Sequence, residues 1–228
     1  MIDYQDSLTE GRLIKRYKRF FADIETGDGV ITAHCANTGR MTGLLEEGAR
    51  AWIRRQPPGR KLDFAWELVE VASGMACINT ARANQLLSST NLSLWIPEVT
   101  LVRREPRVGS HRFDLELSRG GKPVYVEIKS VTLCEDDGVG LFPDAPSERA
   151  TQHVNLLAEM AADGLETHLV FVAMHTGIES IAPYRVLDPS FADACTRALD
   201  AGVTFHALQT EITPRHIKLA GAIPFRLD

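Results

Sequence analysis

The sequence is short of the residues that build zinc-clamped or disulfide-stapled folds. Its 228 residues include four cysteines, at positions 35, 77, 134 and 195. None forms a C-x-x-C pair, and no histidine stands at zinc-finger spacing from one, which argues against a structural zinc site. So few cysteines in so long a chain also argue against a disulfide framework and for buried thiols in a reducing compartment. No apolar run approaches the roughly 18–20 residues that cross a bilayer. The opening M-I-D-Y-Q-D-S-L-T-E places acids where a secretory leader carries bases. A soluble, cytoplasmic chain without a membrane partner is the expectation. Internal repeats and low-complexity tracts are missing too. The Gly-bearing N-T-G-R-M-T-G at 37–43 lacks the G-K-[ST] ending of a phosphate loop. It reads as a turn near a domain junction or a DNA contact.

Apolar material is ample: 44% of residues are hydrophobic and 24% charged, enough for one large domain or two small ones. The net charge of −5 is unevenly spread. Residues 1–130 hold 19 Lys+Arg against 16 Asp+Glu, and the remainder 6 against 14. A basic front on an acidic chain can still bind a polyanion with one face.

Residues 12–24 interleave bases with aromatics and read as one long twisted strand. Strands are also expected at 31–35, 49–55, 64–71 and 75–80, separated by Gly and Pro signals. Five strands in about 80 residues suggest a small OB-like β-barrel. Near residue 81 the pattern changes. A helix at 81–87 precedes strands at 99–105, 111–117 and 123–133. Ser147 reads as the N-cap of a helix running to about 162. An apolar strand at 169–175, a helix at 189–200 and a strand at 203–209 follow. The fold class expected is mixed α/β, with a nucleic-acid-binding barrel over residues 1–80 and an α-β-β-β-α-β domain over 81–228.

The chemistry concentrates in residues 111–130. Gly120-Gly121 marks a tight hairpin. Opposed residues then have numbers summing to 241, which sets Asp114 across from Glu127 and Arg112 across from Lys129. Two facing carboxylates repel unless a cation compensates, and Mg²⁺ favours one or two carboxylates plus waters and phosphate oxygens. Strand alternation puts Glu127 and Lys129 on one face. D-x₁₂-E-x-K within an α-β-β-β-α-β run is the signature of the PD-(D/E)xK restriction-endonuclease-like fold. Asp114, Glu127 and Lys129 are the expected catalytic residues, with Asp114 and Glu127 holding Mg²⁺ or Mn²⁺. Glu98, just ahead of a strand, and Glu148, on the helix after Pro146, are further metal-ligand candidates.

Arg16, Lys18 and Arg19 beside Tyr17 and Phe20 fit the way OB folds grip single strands, with Arg54 and Arg55 adding charge in the same domain. Arg112, and Arg149, Gln152 and His153 on the second helix, complete the candidate DNA-binding set.

Several segments together resemble the sugar fermentation stimulation protein A family. They are R-Y-K-R-F-F-A-D (16–23), H-C-A-N-T-G-R-M (34–41), R-F-D (112–114), Y-V-E-I-K-S-V-T-L (125–133) and F-P-D-A-P-S-E-R (142–149) with His153. Ala36 stands where that family usually has Pro, and Ala150 where it often has Gly. The resemblance implies an OB-type barrel joined to a PD-(D/E)xK-like nuclease domain, DNA binding, metal ligation by Asp114 and Glu127, and Lys129 as catalytic lysine. The expected function is metal-dependent hydrolysis of DNA phosphodiesters, the DNA being single- or double-stranded and bound without sequence preference. A DNA-binding regulatory protein that keeps the nuclease scaffold without turnover is the alternative, and Schiff-base chemistry on Lys129 a third. A homodimer is left open.

Overall fold

A computed structural model describes residues 1–5, 7–109 and 111–227. After β1 (Ile2–Asp3) come six strands: β2 (Leu8–Tyr17), β3 (Phe21–Thr26), β4 (Gly29–His34), β5 (Arg50–Arg55), β6 (Phe64–Val71) and β7 (Gly74–Cys77). They pair in the order β4-β3-β2-β5-β6-β7. A bridge from His34 to Ala65 joins β4 to β6 and closes a five-stranded barrel. Leu13, Ile24, Ile53 and Trp66 fill it. The strand expected over 12–24 is in fact two. Lys18–Phe20 form a turn between β2 and β3. Lys18 and Arg19 take left-handed backbone there (φ +48° and +62°), which a sequence without glycine does not announce.

Helix α1 (Ala81–Ser89) leads into β8 (Thr100–Arg104), β9 (Arg107–Val108), β10 (His111–Arg112), β11 (Leu115–Arg119) and β12 (Lys122–Val131). Then follow β13 (Leu133–Cys134), β14 (Val139–Phe142), α2 (Glu148–Ala162), β15 (Glu166–Ala173), β16 (Ser180–Pro183), α3 (Pro189–Asp200), β17 (Thr204–Ile212) and β18 (His216–Ala222). A seven-stranded mixed sheet runs β1-β18-β17-β15-β12-β11-β8. The Ser147 side chain accepts from the Ala150 amide and caps α2, as expected. The expected 111–117 strand splits at Phe113-Asp114, where β10 turns away to pair with β9.

The β11–β12 ladder keeps the register fixed by the hairpin: Leu115 faces Val126 and Arg119 faces Lys122. Gly120 and Gly121 both have positive φ, +56° and +85°, as this tight turn demands. Val124, Val126 and Ile128 point to the face covered by α1, through Ala83, Leu86 and Leu87. Val131 and Phe171 point to the opposite face, under Val154 and Leu157 of α2 and Phe191 of α3. Trp52, Leu68 and Cys77, on the outside of the barrel, join the α1-side core. Barrel and sheet therefore share apolar packing.

At that seam lies Glu67, fully buried. Its oxygens accept from Tyr4 Oη (3.2 Å), Arg54 Nε (3.1 Å), Asn79 Nδ2 (3.2 Å) and Arg82 Nη2 (2.6 Å). Burial alone would raise its pKa; Arg82, Arg54 and Asn79 overcome that and hold it below the usual range. Removing one partner of a buried pair strands the other charge. Arg82→Ala is therefore expected to lose about 3–5 kcal/mol in urea unfolding at neutral pH. Double replacement with Glu67→Gln should restore part of that loss. Equal losses in the single and double variants would show that the ion pair is not the cause.

Candidate active site and its relatives

Alternation along β12 sends Glu127 and Lys129 to the α2 side of the sheet, while Val126 and Ile128 anchor the strand on the α1 side. Glu127 and Lys129 are nearly buried, 4% and 8% exposed. Lys129 Nζ donates to Glu127 Oε1 at 2.7 Å. His153, arriving from α2, places Nδ1 2.6 Å from the same oxygen. A carboxylate only accepts, so His153 donates from Nδ1. Its ring is also held edge-on to His111 (5.7 Å) and Phe113 (6.1 Å). Among the described residues Glu127 Oε2 is buried without a partner.

Asp114 sits one step beyond the end of the ladder. Its amide donates to Val126 O (3.1 Å), and its Oδ2 accepts from the Ile128 amide (2.7 Å). Asn84 of α1 donates to Oδ1 at 2.5 Å. Burial and the neighbouring Glu127 charge push the Asp114 pKa up to about 6, against the help of the Ile128 amide and Lys129. Burial also opposes the Glu127 charge, but Lys129 and His153 more than offset it and its pKa is lowered. One carboxylate is thus satisfied in its charge and the other is not.

Asp114, Asn84, Glu127, Lys129 and Arg149 line a cavity of about 360 Å³. Through Thr80, Ser130, Phe142 and Ser147 it adjoins a larger one of about 680 Å³, lined by Arg16, Arg19 and Arg40 on the barrel side. Ser130 Oγ, where the two meet, is buried with no partner among the described residues. The 37–43 loop closes one wall. Asp144 Oδ2 accepts from the Met41 amide at 3.0 Å. A Cβ on Gly39 would lie 2.3 Å from the Asp144 carboxylate, so only glycine lets the loop approach this closely.

Among the described residues no three His, Cys, Asp or Glu converge on a metal position. Two carboxylates, Asp114 and Glu127, line the same cavity, and Glu127 Oε2 has no hydrogen-bond partner among the described residues. That donor set fits Mg²⁺ or Mn²⁺, which complete their shells with water and phosphate.

Other expected site residues fall elsewhere. Glu98 is exposed, and its charge acts on Arg119, at the turn end of the hairpin, far from Asp114. Glu148 is exposed and accepts from Gln152 Nε2 (3.3 Å), so that pair faces solvent while Arg149 alone faces the cavity. His153 is buried on Glu127 and does not reach out to phosphate. Arg54 is held by Glu67, Arg55 lies over the Phe64 ring, and Arg112 reaches Glu105 (3.3 Å) rather than standing opposite Lys129. Arg16 lines the groove but donates to Arg19 O and Asn37 O, bracing the turn. Lys18 and Arg19 are exposed. Asn84 was not foreseen; a poor helix former inside A-R-A-N-Q-L-L was the available signal.

Residues 14–78 match the family description "SfsA N-terminal OB domain", and residues 78–216 match "Sugar fermentation stimulation protein RE domain". The chain belongs to the sugar fermentation stimulation protein family. It is 40% identical over 232 residues to the sugar fermentation stimulation protein homolog of Marinomonas sp. (strain MWYL1), covering 98% of this chain and 90% of that protein. The homolog of Pseudomonas paraeruginosa is 40% identical over 233 residues, covering 98% and 99%. The solved structure of Pyrococcus furiosus SfsA in complex with Ca²⁺ superposes with a TM-score of 0.86 at 25% identity, covering 96% of each chain. The mixed α/β architecture of barrel plus nuclease-like domain is therefore that of the sugar fermentation stimulation proteins.

In this family member the raised Asp114 pKa has a stability consequence. A carboxyl whose folded pKa is raised stabilises the fold fully below its unfolded value, near 3.9, and that contribution is lost as pH rises through about 6. Above that, the ionised Asp114 works against folding. Asp114→Asn keeps an oxygen for the Ile128 amide, and Asn84 can turn its own amide oxygen to the new NH₂. The variant should gain on the order of 1–2 kcal/mol over wild type at pH 8 in EDTA, shrinking toward pH 4. Urea unfolding across that range checks it; a difference that does not vary with pH would refute the assignment.

Proposed function

We propose that the protein hydrolyses phosphodiester bonds in DNA at Asp114, Glu127 and Lys129, with Mg²⁺ or Mn²⁺ held by the two carboxylates. The buried, unpartnered Oε2 of Glu127 beside the reluctantly charged Asp114 carries this reading. Both groups are better satisfied with a cation between them. The Pyrococcus furiosus relative was solved with Ca²⁺, another hard, oxygen-preferring cation, which supports the same conclusion.

When bound, the metal stabilises negative charge on a phosphate and lowers the pKa of a water molecule. The chain's own groups do the rest. Lys129 and His153 both engage Oε1 of Glu127, which leaves Oε2 for a ligand. Asn84 and the Ile128 amide hold Asp114 from two sides. The Lys129 ammonium has donors to spare beyond Glu127, to orient the attacking water or to meet a phosphate oxygen. Water adds to phosphorus, the bond to one bridging oxygen breaks, and that oxygen leaves with a proton. Arg149, which lines the cavity, and Arg19 and Arg40, which line the adjoining groove, are the cations that would take the flanking phosphates.

Purified protein should cut DNA with Mg²⁺ or Mn²⁺ and not with EDTA. Asp114→Asn, Glu127→Gln and Lys129→Ala should each lower the rate about 100-fold or more while DNA binding persists. Undiminished cutting by Asp114→Asn would overturn the assignment. Binding without cutting in either metal would favour the non-catalytic reading. Independently of turnover, Ca²⁺ should raise the thermal midpoint of the wild type and leave that of Glu127→Gln unchanged. An equal rise in both would place the ion elsewhere.

A further inference from the structure

A second feature of the barrel lies beyond the cleavage site. A cavity of about 420 Å³ is lined by Phe20, Phe21, His34, Arg60, Lys61 and Leu62, with Gln56. Phe21 faces Tyr17 across β2–β3 and His34 across β3–β4, so the three rings stand side by side on one face. Tyr17 and Phe21 stack, with centroids 5.5 Å apart and planes 17° apart. Lys61 Nζ lies 5.6 Å from the centre of the Phe21 ring. Phe20 is 47% exposed, the one exposed phenylalanine among the described residues.

The charges around the cavity sort in an informative way. Elsewhere on the barrel Arg50 pairs with Glu10 and Glu70, Arg54 with Glu67 and Lys15 with Asp23. Among the described residues no carboxylate pairs with Lys18, Arg19, Arg40, Arg60 or Lys61. Lys18 and Arg19 also hold left-handed backbone that glycine would adopt freely. Two long cationic side chains are kept at the positions where the backbone favours having none. They immediately precede Phe20, and Arg19 lines the groove that leads to Asp114 and Glu127.

From this we infer that the Phe20–Phe21–His34 cavity receives an unpaired nucleobase of a single strand whose phosphates run past Arg19 toward the cleavage site. Aromatic faces accept a base of any sequence, and the lysines and arginines on either side of it neutralise the phosphate backbone. An apolar protein surface would leave four or five cations unmatched. A duplex cannot supply a base to this cavity without breaking a pair. The substrate is therefore single-stranded or a junction with a single-stranded arm. This deepens the proposed function by naming the form of the nucleic acid; it rests on the strand lying in the groove and not on cleavage.

The test is binding in EDTA by fluorescence anisotropy, with full-length protein and oligothymidine, oligouridine or duplex DNA. Wild type should prefer the single strands to the duplex. The preferred sugar identifies the natural source. Phe20→Ala should weaken single-strand binding about tenfold or more and leave duplex binding within about twofold. A 2-aminopurine placed in the strand should be quenched by wild type and stay bright with Phe20→Ala. Arg19→Gly should hold or raise the thermal midpoint while weakening single-strand binding several-fold. The inference is overturned if Phe20→Ala and Arg19→Gly bind single strands as wild type does, or if both forms of DNA are lost equally. Binding is read in EDTA, where no metal-dependent cleavage occurs, so a protein that never cuts DNA can pass this test and one that cuts can fail it.

Discussion

Glu67 carries a negative charge in a place where water cannot reach it, and such a charge survives only if donors surround it. Its donors come from four parts of the chain: Tyr4 ahead of the barrel, Arg54 on β5, Asn79 at the junction and Arg82 on α1. The barrel cannot move relative to α1 without stranding that charge. Helix geometry extends the constraint. Residues two apart on a helix project about 200° apart. Arg82 therefore reaches back to the barrel while Asn84 reaches the other way, to Asp114. The same short helix is gripped at the seam and at the candidate active site.

The site itself is a deliberate exception to the rule that buried charges are matched. Lys129 and His153 converge on one oxygen of Glu127, and backbone and Asn84 donors converge on Asp114. Two acidic groups still share the cavity with one lysine, and among the described residues one carboxylate oxygen has no hydrogen-bond donor. Such an arrangement persists because its supports are rigid. Val124, Val126 and Ile128 lock β12 from below, and α2 is capped by Ser147 and packed through Val154 and Leu157 from above. Stability lost locally is characteristic of a place built to bind something else.

The hairpin of the candidate site was legible in the sequence because its information is local. Gly120-Gly121 fixes the turn, the turn fixes the register, and alternation fixes which side chains share a face. The break at Phe113-Asp114 was not legible, since nothing local says that β10 leaves to pair with β9. The turn at 18–20 was hidden for a different reason: its left-handed positions are filled by Lys18 and Arg19 instead of glycine. β18 escaped notice because the H-I-K-L alternation is only four residues long and runs out into A-G-A; tertiary pairing with β17 and β1 makes it a strand. Side-chain partners were not legible where they lie far away in sequence. Arg54 belongs to Glu67 and His153 to Glu127. Glu98 has the right chemistry at the wrong end of a strand.

Net charge misleads for a related reason. A chain at −5 should repel a polyanion, yet long-range repulsion is screened over about 8–10 Å at physiological salt while contacts in a groove are not. What matters is which bases lack an internal partner and where they stand. Arg50 and Arg54 are neutralised by carboxylates of the barrel. Arg19, Arg40 and Arg149 pair with no carboxylate among the described residues and line two adjoining cavities, the second of which holds Asp114 and Glu127. The acidic excess lies mostly after residue 130, and of those acids Asp144 lines the groove, where its carboxylate is taken up by the Met41 amide. The molecule can therefore be anionic as a whole and cationic along the path to its site, and binding there should carry the steep salt dependence of phosphate contacts.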